Sequence, residues 1–132
     1  MIRDHLIPAL REAFPALPFT PGLPPAPVAV FPAKHPKVGD VRVFDHGEEA
    51  TVLVGEITHG HFNPYDESLS EQQVAERVAA DVVEFLKALF SDQVLLYRSA
   101  NRRIGGWQVL GEGTTPERCP KRQYFVWSGP VP

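Results

Sequence analysis

The sequence predicts an α+β fold: a largely antiparallel sheet of about six strands with one long amphipathic helix packed on one face. Three observations support this prediction. Apolar and polar residues alternate with a period of two in the second quarter of the chain and again in the last third, and a helical apolar stripe lies between these stretches. The chain has 132 residues, 43% of them hydrophobic and 22% charged, which is typical of one domain with its own core. We therefore expect a single α+β domain over residues 1–132.

The N-terminal part of the chain is rich in proline, since nine of the fourteen prolines fall among its first 36 residues. Leu6 and Leu10 recur at helical spacing, which predicts a short helix with Pro8 in or near its first turn. Residues 15–27 then predict an extended, polyproline-like arm. We expect the whole of residues 1–27, helix and arm, to pack on the domain.

Six runs of β-branched and aromatic residues, separated by turn residues, predict the strands. They lie at 28–31, 41–45, 50–57, 94–99, 106–110 and 123–127. The predicted order of elements is therefore α-β-β-β-α-β-β-β. The stretch DHGE at 45–48 is typical of a hairpin connection between the second and third strands. The glycine pair at 105–106 predicts a turn in which positive φ is available.

The long helix is the clearest element of the sequence. Either Ser68 with Glu71 or Ser70 with Gln73 forms a capping box at its start, so two positions are open for its first residue. The helix carries one apolar stripe, with most of its charged residues on the other side. The stripe consists of Val74, Val78, Val82, Leu86 and Leu89.

Composition and charge limit the classes of function. No apolar run is long enough for a membrane span or a secretory signal, so we expect a cytoplasmic protein without a membrane partner. Cys119 is the only cysteine, which excludes an internal disulfide and a zinc site built from cysteines. Residues 98–122 carry a net charge of +4 and the remainder −7, which together give the total of −3. A basic region on an acidic body favours an anionic partner, but nucleic acid is not expected because the acidic remainder would repel phosphate.

The stretch THGHFNPYD is the one candidate for chemistry. His59 and His61 would share a face of a strand, because residues two apart point the same way. With Asp66 as a third ligand they would hold a divalent metal such as zinc, although the spacing matches no recognised metal motif. Other candidates for the third ligand are Glu56, Glu67, His35 and His46. A metal-dependent enzyme built on this pair is the alternative function.

The structural interpretation of the histidine pair is simpler, and we favour it. In this interpretation the ring nitrogens of His59 and His61 form hydrogen bonds to the turn at 63–66 and hold the strand end against the start of the helix. The protein would then need no cofactor.

The last third of the chain combines loop arginines with aromatic residues. Arg102 and Arg103 precede Trp107, and Tyr97 lies in the strand before them. Arginine, tryptophan and tyrosine are enriched at the centres of protein interfaces. The sequence therefore predicts a small non-catalytic domain that binds a protein partner, a second copy of itself, or a small ligand through its open sheet face and these four residues.

Overall fold

The computed structural model describes residues 2–102, 104–111 and 119–132. Within these residues two helices and eight strands follow the order α-β-β-β-β-α-β-β-β-β, so the α+β class is confirmed and two strands are added to the predicted six. The helices are α1 (Ile2–Ala13) and α2 (Glu71–Phe90). The strands are β1 (Ala29–Phe31), β2 (Val41–Asp45), β3 (Ala50–Val54), β4 (Thr58–Phe62), β5 (Val94–Ser99), β6 (Gly105–Val109), β7 (Arg122–Val126) and β8 (Gly129–Val131).

The strands form two antiparallel sheets of four strands each, and the prediction of one sheet of about six strands was wrong in this respect. The first sheet has the order β1-β2-β3-β4 and the second has the order β6-β5-β7-β8. The sheets lie side by side at β4 and β6. A Cβ atom at Gly105 would lie 1.9 Å from the carbonyl oxygen of Ile57, so only glycine permits this approach.

The predicted strand at 50–57 ends early, because Gly55 starts a turn. The φ angle of Gly55 is +52°, and the backbone N–H of Ile57 donates to the carbonyl of Val54 at 3.1 Å. A Cβ at position 55 would lie 2.0 Å from the carbonyl oxygen of Val38. The chain therefore reverses here, and the two histidines belong to the separate strand β4.

The glycine pair at 105–106 was predicted as a turn but lies inside β6. Gly106 lies beneath the ring of Tyr97, since a Cβ there would be 2.3 Å from the tyrosine oxygen. The reversal between β5 and β6 comes earlier, where Arg102 has a φ of +60° and its N–H donates to the carbonyl of Ser99 at 2.9 Å. Both glycines therefore allow other groups to approach β6 closely: the carbonyl of Ile57 at Gly105 and the ring of Tyr97 at Gly106.

The helices cover one face of the sheets. The α1 helix packs against α2, and Pro8 lies in its interior, beyond the predicted first turn. Ser70 is the N-cap of α2: its hydroxyl accepts from the N–H of Gln73, and its own N–H donates to the side chain of Gln73 at 2.8 Å. The second of the two predicted capping boxes is thus the one that forms.

The ring of Phe31 in β1 contacts aromatic rings from three other parts of the chain. The ring of Phe31 lies 5.9 Å from Phe14 after α1, 5.6 Å from Phe19 in the proline-rich arm, and 5.5 Å from Phe90 at the end of α2. These edge-on contacts tie the N-terminal segment to the core. Leu23, further along the arm, is 74% exposed.

Candidate binding site

A basic cleft lies at one end of the second sheet. Its volume is about 780 Å³, and cationic side chains come to it from a loop before β2, from β5, from the turn after β5 and from β7. These side chains are Lys37, Arg98, Arg102 and Arg122. The ion pairs among the described residues involve other side chains, so none of the four lies within 4 Å of an aspartate or glutamate carboxylate in that part of the chain.

Arg98 is held in place by its neighbours on β7. Its Nε donates to Oε1 of Gln123 at 2.9 Å, and its guanidinium lies 5.1 Å from the centre of the Phe125 ring. A guanidinium has five N–H donors, and one of them is used in this bond. The remaining donors can therefore bind an anionic group in the cleft.

Arg122 lies over an aromatic layer beside the cleft. Its guanidinium is 4.6 Å from the centre of the Tyr97 ring, and the rings of Tyr97 and Tyr124 are 6.2 Å apart. The hydroxyl of Tyr124 accepts from the backbone N–H of Cys119 at 2.7 Å, which holds Cys119 at the cleft wall. Stacking of this kind leaves the edge of the guanidinium available for a carboxylate.

The predicted binding residues divide between different parts of the molecule. Arg102 lines the cleft and Tyr97 supports Arg122, whereas Arg103 lies outside the described residues. Trp107 faces the opposite side of the second sheet, where its ring lies 4.6 Å from that of Phe85 in α2. The structure therefore separates Trp107 from Tyr97, because successive residues of a strand alternate between its two faces.

His59 and His61 do share a face, as predicted, with their ring centres 4.9 Å apart. Their face is the one away from the helices. The hydroxyl of Thr51 lies between two imidazoles, 2.9 Å from Nδ1 of His46 and 3.1 Å from Nδ1 of His61. The carboxylate of Glu49 lies 3.4 Å from the same nitrogen of His61.

The predicted hydrogen bonds from the imidazoles to the turn at 63–66 do not form. His61 bonds to Thr51 on the neighbouring strand instead. The turn is held by Asn63, whose side chain donates to the carbonyl of Glu48 at 2.9 Å and accepts from the N–H of Tyr65 at 2.8 Å. Cross-strand pairing determines which groups the imidazoles meet, because β3 and β4 are in direct register.

The geometry of this cluster does not match a hydrolytic relay. Such a relay needs the hydroxyl and the carboxylate on different nitrogens of one imidazole. Here Thr51 and Glu49 both lie nearest to Nδ1 of His61. Thr51 is also only 5% exposed, which keeps its hydroxyl from a substrate.

Asp66 is not brought to the histidines. Hydrogen bonds from the Ser68 hydroxyl, at 2.6 Å, and from the Ser68 backbone lower the pKa of Asp66 below its ordinary value of 3.8. Over residues 2–102, 104–111 and 119–132, no group of three histidine, cysteine, aspartate or glutamate side chains is placed to hold a metal ion. The ligand set proposed from the sequence, His59 and His61 with Asp66, is therefore not assembled.

Asp66 lines a second groove, which has a volume of about 540 Å³. Glutamates contribute the other charges of this groove, and the exposed ring of Tyr65 lies at its rim. Those glutamates are Glu48, Glu67 and Glu71. The groove is therefore acidic, in contrast to the cleft.

Comparison with protein-family models, with curated proteins and with solved structures found no match. None of the described helices has the length and apolar character required to cross a lipid bilayer.

Sequence reasoning found part of the basic cleft. The excess of positive charge over residues 98–122 indicated the region, and it includes Arg98 and Arg122 as well as Arg102. Lys37 gave no signal, because it reaches the cleft only through the fold.

Proposed function

We propose that the protein is a non-catalytic binding domain whose basic cleft binds the carboxylates of an acidic segment in a partner protein. The observation that carries the proposal is that Lys37, Arg98, Arg102 and Arg122 all line one cleft, Arg98 from the Phe125 face of the second sheet and Arg122 from the Tyr97 face, and that none of them is paired with an aspartate or glutamate among the described residues. Gathering like charges costs free energy, which an anionic ligand would offset.

The shape of the surface supports an extended ligand rather than a single small anion. A neighbouring groove of about 360 Å³ shares Lys37 and Arg98 with the cleft, and it adds Arg42 together with the carboxylates of Asp40 and Glu56. The two form one continuous surface, of which the cleft is the basic part. Arginine favours carboxylates because its planar fork donates two parallel hydrogen bonds to them.

The proposal predicts that a synthetic glutamate-rich peptide binds the protein and that a lysine-rich peptide of equal length does not. Isothermal titration calorimetry would measure both, at low salt of about 50 mM and again near 300 mM, where screening shortens the reach of charge. We expect Arg122→Ala and Arg98→Ala each to weaken binding about tenfold, because a hydrogen bond to a charged group contributes about 1.5 kcal/mol.

The matched control is Lys87→Ala, which removes a charge from the exposed side of α2, away from the cleft. It should bind the acidic peptide as the native protein does. An equal loss of affinity for the acidic peptide in Lys87→Ala and Arg122→Ala would show that binding depends only on net charge and would contradict a defined site. Tighter binding of single-stranded DNA than of the peptide would contradict a protein partner.

A further inference from the structure

We infer that the acidic segment bound by the cleft belongs to a second copy of this chain and consists of Tyr65, Asp66 and Glu67. This inference rests on the proposed function and names its partner. The contact would be heterologous: the cleft of one copy receives the acidic segment of the next, so that copies associate head to tail.

Lys37 of the cleft and Glu48 of the acidic groove lie at opposite ends of β2. Lys37 of the cleft precedes β2, and the hairpin that contributes Glu48 to the acidic groove follows β2. The length of that strand separates them by about 15 Å or more. Copies placed end to end in one orientation therefore bring opposite charges together, whereas two like ends repel each other.

The acidic segment also offers an aromatic ring. Tyr65 is 75% exposed, and the Asn63 side chain holds its backbone in a conformation with a φ of +51°. Glu67 follows on the same exposed loop. Tyrosine next to carboxylates complements a cleft in which arginine already stacks on a ring, as Arg122 does on Tyr97. Charge and stacking thus both favour this segment as the occupant.

Two variants test the inference, one for each surface. The cleft variant carries Arg102→Glu and Arg122→Glu, and the segment variant carries Tyr65→Asn and Glu67→Arg. Asparagine tolerates positive φ, so the segment variant should fold at least as well as the native protein, as near-ultraviolet circular dichroism would check. Sedimentation equilibrium at low salt then measures the mass of each protein.

We expect the native protein to form assemblies whose mass rises with concentration and falls with added salt. Each variant alone should remain monomeric. An equimolar mixture should form a dimer and nothing larger, because one intact cleft and one intact segment leave a single productive contact. Lys87→Glu, on the exposed side of α2, should assemble as the native protein does.

A native protein that stays monomeric up to about 1 mM, which corresponds to an association free energy weaker than about −4 kcal/mol, would overturn the inference. So would native-like assembly of either variant alone. Binding of the glutamate-rich peptide without self-association would overturn the second copy as partner and leave the proposed function standing. Failure of the peptide to bind would count against the proposed function itself.

Discussion

At the scale of single residues, local hydrogen bonds decide what the acidic loop does. Asp66 accepts from the hydroxyl and the backbone N–H of Ser68, and these bonds lie within one turn of the chain. They stabilise the ionised carboxylate, which is why its pKa is lowered. The carboxylate of Asp66 therefore has two roles: it gives the loop a negative charge, and it orders the loop through its hydrogen bonds to Ser68.

The first prediction concerns the titration of this carboxylate. The pKa of Asp66 is lower in the folded protein than its ordinary value of 3.8. Its bonds to Ser68 therefore stabilise the folded protein at pH values above 3.8, and this stabilisation is lost as the pH falls through the folded pKa. Replacing the hydroxyl in Ser68→Ala should raise the pKa of Asp66 toward 3.8. Carbon-13 NMR of the carboxyl group would measure this, with Ser91→Ala as control. An unchanged titration in Ser68→Ala would contradict the assignment.

At the scale of elements, α2 shows how one cap defines a helix boundary. The sequence offers two serines with a suitable partner three residues later, and both could satisfy the first N–H groups of a helix. In the folded protein Ser70 is the cap, and Ser68 binds Asp66 instead. The choice follows from the loop before the helix, whose path is set by contacts with the hairpin at 45–48 through Asn63.

The second prediction separates these two serines by stability. Ser70→Ala should lower the free energy of unfolding by about 1 kcal/mol, because the backbone N–H of Gln73 at the start of α2 loses the hydroxyl that accepts its hydrogen bond. Ser68→Ala should lower it by less than about half of that, since the bond it removes lies on the exposed surface. Urea denaturation would measure both. Equal losses would mean that the helix start is shared between the two serines.

At the scale of the whole molecule, α2 joins the two sheets. The ring of Phe85 lies 5.5 Å from Phe62 in the first sheet and 4.6 Å from Trp107 in the second. Phe90, the last residue of α2, also links the two sheets. Its ring lies 5.5 Å from Phe31 in the first sheet and 5.1 Å from Trp127, which follows β7 of the second sheet. The sheets thus share one aromatic core, even though strand hydrogen bonds do not unite them into one sheet.

The third prediction follows from this shared core. Phe85→Ala should lower the free energy of unfolding by about 3–5 kcal/mol, since a buried ring is replaced by a cavity. The two sheets should unfold in one transition, so probes of either sheet should report the same midpoint and the same loss of stability. Tryptophan fluorescence reports the second sheet, and NMR of His59 and His61 reports the first. Separate midpoints would contradict a single domain, and Phe85→Leu is the matched control with a smaller effect.

The edges of the sheets also reflect the whole fold. The first sheet ends at β1, which lies between Pro27 and Pro32, and the second ends at β8, which contains Pro130. Proline cannot donate to a further strand, so it protects such edges from pairing with other chains. The short β8 was not predicted because proline argues against a strand when its position at an edge is unknown.

The sequence by itself determined the α+β class, the presence of α2 and its apolar stripe, the hairpin at 45–48 and the shared face of His59 and His61. These features follow from periodicity and from turn chemistry within a few residues, which any local stretch of chain carries. It also located Arg102 and Tyr97 in a basic region, because charge is visible residue by residue.

The tertiary structure alone decided the separation into two sheets, the use of Gly105 for close contact, and the placement of Trp107 against α2 rather than beside Tyr97. It also decided that Thr51 is the partner of His61 and that Lys37 joins Arg98 at one cleft. The physical reason is the same in each case. Local patterns specify which side chains are buried, but pairing of strands and convergence of loops depend on contacts between residues far apart in the chain.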